Sequence, residues 1–329
     1  MSDVQKPIGA AASVAAFRAA AAAKMKAASK AGGGDGDTSS ASDALLKFYR
    51  KAAESGNPSA QLSLALRLMK GDAEGHVDHA QVVDLLTKSA LKGNVTAAHN
   101  LGCRYAVGEG GIKRDRSKAA MWFRRAATNG VVASQYNFGK LMESGWNAPD
   151  GAKDERVAAA WYKRASMQGH ALATCALGIM QAEGRGLQQD WKDAVANFRK
   201  AAGKGVAVAQ HNLALCYEHG WGIDDDSTGD SPSPSSGGGI NLSKAVEWHR
   251  KAAEQGYAPA ATSLALAVGH GKGVEKPDWG EAVALLRVAA DAGHVPAMIH
   301  LASCLHKGRE WSPHACVRST YVHNKVELR

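Results

Sequence analysis

Several residue groupings in this 329-residue chain have types and spacings that suggest chemistry. His300 and Cys304 stand one helical turn apart, with His306, His314 and Cys316 following. Imidazole and thiolate are zinc ligands, but the spacings of structural zinc sites are missing. Cys304 also occupies the same place in the chain's internal pattern as Cys216, which points to a small helix-packing residue. His99 and His211 likewise share one place in that pattern, which argues for a repeated surface over a single catalytic base. No nucleophile and base stand in an evident pair, so catalysis is not expected. Glycine pairs such as Gly108-Glu109-Gly110 and Gly184-Arg185-Gly186 resemble phosphate-cradling loops. A dinucleotide site, however, needs a preceding strand and a third glycine opening a helix. No GxxxxGK[ST] run occurs either, and no cofactor is expected. Ser231 and Ser233 each precede proline in an acidic stretch and are candidates for phosphorylation. The same stretch also reads as a tolerated insertion without a role, since long loops close at little extra entropic cost.

The pattern that positions these residues is set by seven glycines: Gly56, Gly93, Gly130, Gly169, Gly205, Gly256 and Gly293. They recur at intervals of 37, 37, 39, 36, 51 and 37 residues. Self-similarity at such a period means stacked helical or other supersecondary units. Before the glycines, mostly apolar residues at offsets of eleven, eight, seven, four and three form the stripe of an amphipathic helix. After it, a second stripe carries a small residue four positions on and a large apolar residue eight positions on, from Leu64 and Leu101 to Leu301. Nine positions on stands Gly or Ala, which lets two helix backbones approach closely. Asp78, Asp115, Asp154, Asp190, Asn241 and Asp278 stand where the next helix begins and are expected to cap it.

One unit carries nearly every position of this consensus. It runs from Ala97-Ala98-His99-Asn100-Leu101-Gly102-Cys103-Arg104-Tyr105 through Gly108-Glu109-Gly110 and Asp115-Arg116-Ser117-Lys118-Ala119 to Trp122-Phe123-Arg124-Arg125-Ala126-Ala127. This text closely resembles the Sel-like repeat family, relatives of the tetratricopeptide repeat, over about residues 43 to 308. The resemblance implies an all-α, right-handed α-solenoid of antiparallel helix pairs, with about six complete repeats plus terminal half-repeats. The first unit departs most, with Leu66-Arg67-Leu68 and Gly71-Asp72-Ala73-Glu74-Gly75 in place of the usual tyrosine and GxG turn.

By that resemblance the chain is expected to act as a non-catalytic adaptor that binds other proteins, as extended peptide segments. In tetratricopeptide arrays the helix face opposite the core leucine lines a concave, peptide-gripping groove. Here that face carries His99, Cys103, Tyr136, Lys140 and His211, flanked by Asn100, Asn137 and Asn212. The basic pairs Arg50/Lys51, Arg124/Arg125, Lys163/Arg164, Arg199/Lys200 and Arg250/Lys251 sit off the apolar stripe and are expected to be the solvated helix face. Some secreted, cysteine-rich relatives bind or hydrolyse β-lactams, but their paired cysteines are absent here.

The net charge of +9 favours acidic partners in general, and nucleic acid is possible without being favoured. Nothing approaches eighteen consecutive apolar residues, so no membrane span is expected. Five cysteines without regular pairing suggest a reducing, intracellular compartment. Residues 1–42 read as an Ala/Gly/Ser-rich tail, which favours the cytoplasm, or as a transit peptide for a mitochondrion or plastid. The latter would suit an organelle RNA-associated or assembly factor. Residues 224–239 read as a disordered insertion and 309–329 as an irregular tail.

Overall fold

A computed structural model describes residues 38–71, 77–145, 153–223 and 239–306. Residues 1–37 of the expected N-terminal tail, the acidic stretch with Ser231 and Ser233, and the C-terminal tail lie outside these residues, whereas residues 38–42 of that tail are helical.

The described residues form fourteen α-helices and no strand. They are α1 (Thr38–Glu54), α2 (Pro58–Leu68), α3 (His79–Leu91), α4 (Val95–Val107), α5 (Arg116–Thr128), α6 (Val132–Glu143) and α7 (Glu155–Met167). There follow α8 (Ala171–Glu183), α9 (Trp191–Ala202), α10 (Ala207–His219), α11 (Leu242–Glu254), α12 (Ala258–Gly269), α13 (Trp279–Asp291) and α14 (Val295–His306). Each of the seven pattern glycines joins a helix pair, with φ between 79° and 92°. That left-handed conformation, which glycine adopts without a Cβ penalty, turns the chain back after the first helix of each pair.

Every anticipated cap is made. Asp78, Asp115, Asp154, Asp190, Asn241 and Asp278 accept from the backbone N–H three residues on, at 2.8–3.0 Å. Asn57 and Asn94 add a second kind of cap, each accepting from two N–H groups at the start of α2 and α4.

The chain divides into two compact units between Arg164 and Ala165, inside α7. In the first, neighbouring helices pack in sequence order, and Leu62, Leu64, Val82, Leu86, Leu101 and Trp122 form a core. In the second, Val195, Phe198, Leu213 and Tyr217 form one cluster, while Ala265, Leu286 and Ala289 form another. Both units are stretches of all-α solenoid.

Close approach of helices depends on the small residue nine positions after each turn. A Cβ on Gly102 would stand 2.6 Å from the Phe123 ring, one on Gly139 2.8 Å from Tyr162, and one on Gly178 2.9 Å from Phe198. Two polar devices recur beside these contacts. Gln61, Gln135 and Gln210 each donate from Nε2 to a carbonyl at the end of the preceding helix, those of Ala53, Ala127 and Ala202, at 3.2–3.3 Å. Lys92 and Lys204 each donate from Nζ to the turn glycine one repeat earlier, Gly56 O and Gly169 O, at 2.6 and 2.7 Å.

Candidate functional site

In the first unit, α4 and α6 are the second helices of consecutive pairs. Ala97, Ala98, Leu101 and Gly102 turn the core face of α4 inward, which leaves His99 and Cys103 half-buried on another flank, one turn apart. His99 Nδ1 lies 2.7 Å from Ser134 Oγ on α6, and His99 Nε2 lies 3.6 Å from Cys103 Sγ. With the thiol donating to Nε2, the Nδ1 proton is free to donate to the serine oxygen. The heavy atoms are thus arranged as thiol, imidazole and an orienting hydroxyl, the geometry of an activated nucleophile. The electrostatics run the other way. Burial and the carboxylate of Glu109 push the Cys103 thiol up, while burial lowers His99. Both shifts hold the pair neutral, so the contact is a thiol–imidazole hydrogen bond and not a thiolate–imidazolium pair.

On α6 the half-buried Tyr136 stands with its ring centroid 5.8 Å from that of Tyr162 on α7. The exposed ammonium of Lys140 lies 5.8 Å from the Tyr136 ring, near the limit of a cation–π contact. Tyr162 in turn donates its hydroxyl proton to Glu143 Oε2 at 2.7 Å. Asn100 and Asn137 are half-buried beside this row. The first unit therefore brings six of the eight anticipated residues onto α4 and α6, as a Cys103–His99 pair and a Tyr136–Lys140 pair.

The other two depart from expectation. His211 and Asn212 on α10 are 0% and 3% exposed, inside the second unit. His211 Nδ1 lies 3.2 Å from His249 Nδ1, and the Tyr257 ring meets the same imidazole edge-on at 5.5 Å. His249 is 1% exposed, and its Nε2 lies 3.9 Å from Glu218 Oε2. Every residue from Ala209 to Tyr217 is buried, so α10 has no open flank along that stretch. In this conformation neither His211 nor Asn212 is open to an extended partner. Burial, with the neighbouring His249 and His294 adding to it, lowers His211 well below its ordinary value of 6.5.

The ten side chains of the five basic pairs are all exposed. Some are engaged by the chain itself: Arg125 donates to Leu91 O at 3.0 Å, Lys251 pairs with Glu247 at 2.6 Å, and Arg250 pairs with Glu281 at 2.8 Å. Arg124 and Arg125 also border an open cavity of about 380 Å³, with Met121 and Phe138. Of the zinc candidates, His300 is buried, Cys304 half-buried and His306 exposed, while His314 and Cys316 lie outside the described residues. Among the described residues no three His, Cys, Asp or Glu side chains are grouped to hold a metal ion. No helix among them is long and apolar enough to cross a membrane.

The Sel1 repeat matches residues 46–57, 95–131, 132–170, 171–206, 207–227, 235–257 and 258–294, together more than half of the chain. Among solved structures, one similar protein is c5321, a protective antigen present in uropathogenic Escherichia coli strains that displays an SLR fold. It is 28% identical, with a TM-score of 0.66 over 82% of this chain and 53% of its own. The chain thus spans about half the length of that antigen. A Sel1 repeat protein from Oxalobacter formigenes is 24% identical, with a TM-score of 0.63 over 82% of this chain and 96% of its own, a likeness of fold.

Proposed function

The chain belongs to the Sel1 repeat family, whose members typically act as protein-interaction scaffolds, and we propose that it holds an extended segment of another protein along α4 and α6. The observation that carries this reading is the juxtaposition of polar and aromatic groups on two consecutive second helices: half-buried His99, Asn100 and Cys103 on α4, and half-buried Tyr136 and Asn137 with exposed Lys140 on α6. The Asn100 and Asn137 amides can both donate to and accept from a peptide backbone. Tyr136 offers a broad apolar face at small entropic cost, and Lys140 supplies a charge at its edge. The neutrality of the Cys103–His99 pair suits binding and not turnover. His211 and Asn212 are left out of the binding surface because they are buried.

The test is affinity capture from the native cell with the tagged full-length chain, beside an Asn100→Ala/Tyr136→Ala/Asn137→Ala variant, at low and high salt. The reading expects a salt-resistant set of proteins that the variant loses while keeping its helical content. Recovery of the same proteins by both chains would sink it. RNA released at high salt would favour a nucleic-acid role instead.

A further inference from the structure

Arg104 occupies an apolar position. Eleven residues after the turn glycine, three other repeats place Leu141, Met180 and Cys216, all buried, while the first repeat places an exposed Arg67. Arg104 stands there at 3% exposure, on the flank of α4 that faces the start of α3 and away from the His99 row. Its Nε and Nη1 are both buried without a hydrogen-bond partner. His79 Nδ1, at the first residue of α3, is a second buried nitrogen without a partner.

These nitrogens converge. A Cβ built on Gly110 would meet His79 Nδ1 at 2.5 Å and Arg104 Nη1 at 2.6 Å. Only a glycine there, in the left-handed conformation with φ 74°, lets both approach the same backbone atom. Unlike lysine or histidine, arginine cannot escape burial by losing its proton, because the guanidinium stays charged at any accessible pH. A buried cation with no counter-charge is among the costliest arrangements a protein interior can hold. No carboxylate of the described residues pairs with Arg104.

We propose that Arg104, with His79 and the Gly110 turn, forms a binding site for an oxyanion, a carboxylate or phosphate group that accepts from Arg104 Nη1 and His79 Nδ1 where the two converge. An anionic oxygen can take the Nη1 N–H as a charge-assisted hydrogen bond. With a proton on Nδ1, His79 adds a second donor. The site lies on the other flank of α4 from the proposed peptide row and stands or falls independently of it.

Thermal melting of the full chain tests it, in sodium phosphate, sodium succinate or sodium chloride at matched ionic strength. Phosphate also stabilises proteins generally by exclusion from their surface, so the shift is read against Arg104→Met. Methionine already fills this position at Met180, so that variant is expected to fold. With the ligand well above its Kd, the wild-type midpoint should rise by about 3 °C beyond the rise of Arg104→Met. A response to phosphate alone assigns a free phosphate ligand, and a response to both anions assigns a carboxylate-accepting site. Equal shifts in the two chains, or no shift in either, overturn the proposal. Asp72→Asn/Glu74→Gln supplies the remaining arm, since these are the acids of the stretch before α3 that lies outside the described residues. If only that variant responds, the chain supplies its own carboxylate and no external ligand is bound.

Discussion

His211 and His249 face one another inside the second unit with their Nδ1 atoms 3.2 Å apart. Two nitrogens at that distance hold one proton between them, donated by one ring and accepted by the other. A second proton would set two N–H groups head to head. Glu218, 3.9 Å from His249 Nε2, supplies the nearest negative charge. Its carboxyl is held below the ordinary value, with burial opposing and His249, His219 and Lys272 favouring the charged form.

Stability should therefore fall in acid. Burial holds His211 well below its ordinary value of 6.5 in the folded chain. Below that value the unfolded chain binds more protons than the folded one, so stability present at neutral pH is lost as pH falls through 6.5 toward the folded pKa. The melting midpoint should drop between pH 7.5 and 5, with hydrogen exchange in α10 and α11 rising first. His211→Phe should flatten this dependence, and an unchanged slope in that variant would show that other histidines govern it.

Gly102→Leu should destabilise the first unit by about 1–3 kcal/mol, because its Cβ would enter the space of the Phe123 ring. Adding Phe123→Ala should recover part of the loss, since the two residues touch and their effects couple. Urea melts of both single variants and the double variant measure the coupling. Strict additivity would mean that the ring does not set the helix spacing.

Gln135→Met keeps most of the side-chain volume and removes the hydrogen bond to Ala127 O. The expected cost is about 1 kcal/mol. A denaturation midpoint equal to the wild type would remove the glutamine from the account of how each pair is pinned.

Cys175 and Cys216 should resist alkylation in the native chain. Burial pushes both thiols up to about 12, so almost no thiolate is present at pH 8. Half-buried Cys103 should react sooner with iodoacetamide, yet still more slowly than a free cysteine peptide. Peptide mass mapping before and after denaturation gives the order. Labelling of Cys216 ahead of Cys103 would contradict the burial described for α10.

The turn glycines and the six Asp and Asn caps before the first helices of the pairs were legible in the sequence, because each depends on a few neighbouring residues; the Asn57 and Asn94 caps were not anticipated. Asp115 caps α5 by bonding a group three residues away, and its position announces this. The burial of His211 was not legible. Its offset matches that of His99, but the exposure of either depends on what a helix more than thirty residues away places over it. His249 and Tyr257 fill that space for His211, whereas His99 meets Ser134 and the tilted Phe123 ring and stays half open. The glutamine pin had a readable signal, since Gln61, Gln135 and Gln210 share one offset from the turn. The signal was hidden because polar residues within a helix ordinarily read as solvated.

The pairing of Gly102 with the Phe123 ring has a consequence for how such a chain can lengthen. Both residues fall between Gly93 and Gly130, inside one 37-residue interval. Copying that interval whole duplicates the notch together with the ring that fills it. A newly inserted copy arrives with its tightest internal contact already matched, and only its outer borders must suit their neighbours. The same holds where Gly178 receives Phe198 between Gly169 and Gly205. Growth by in-frame duplication thus conserves the fit that single substitutions would break, and length becomes the easiest property of the array for evolution to change.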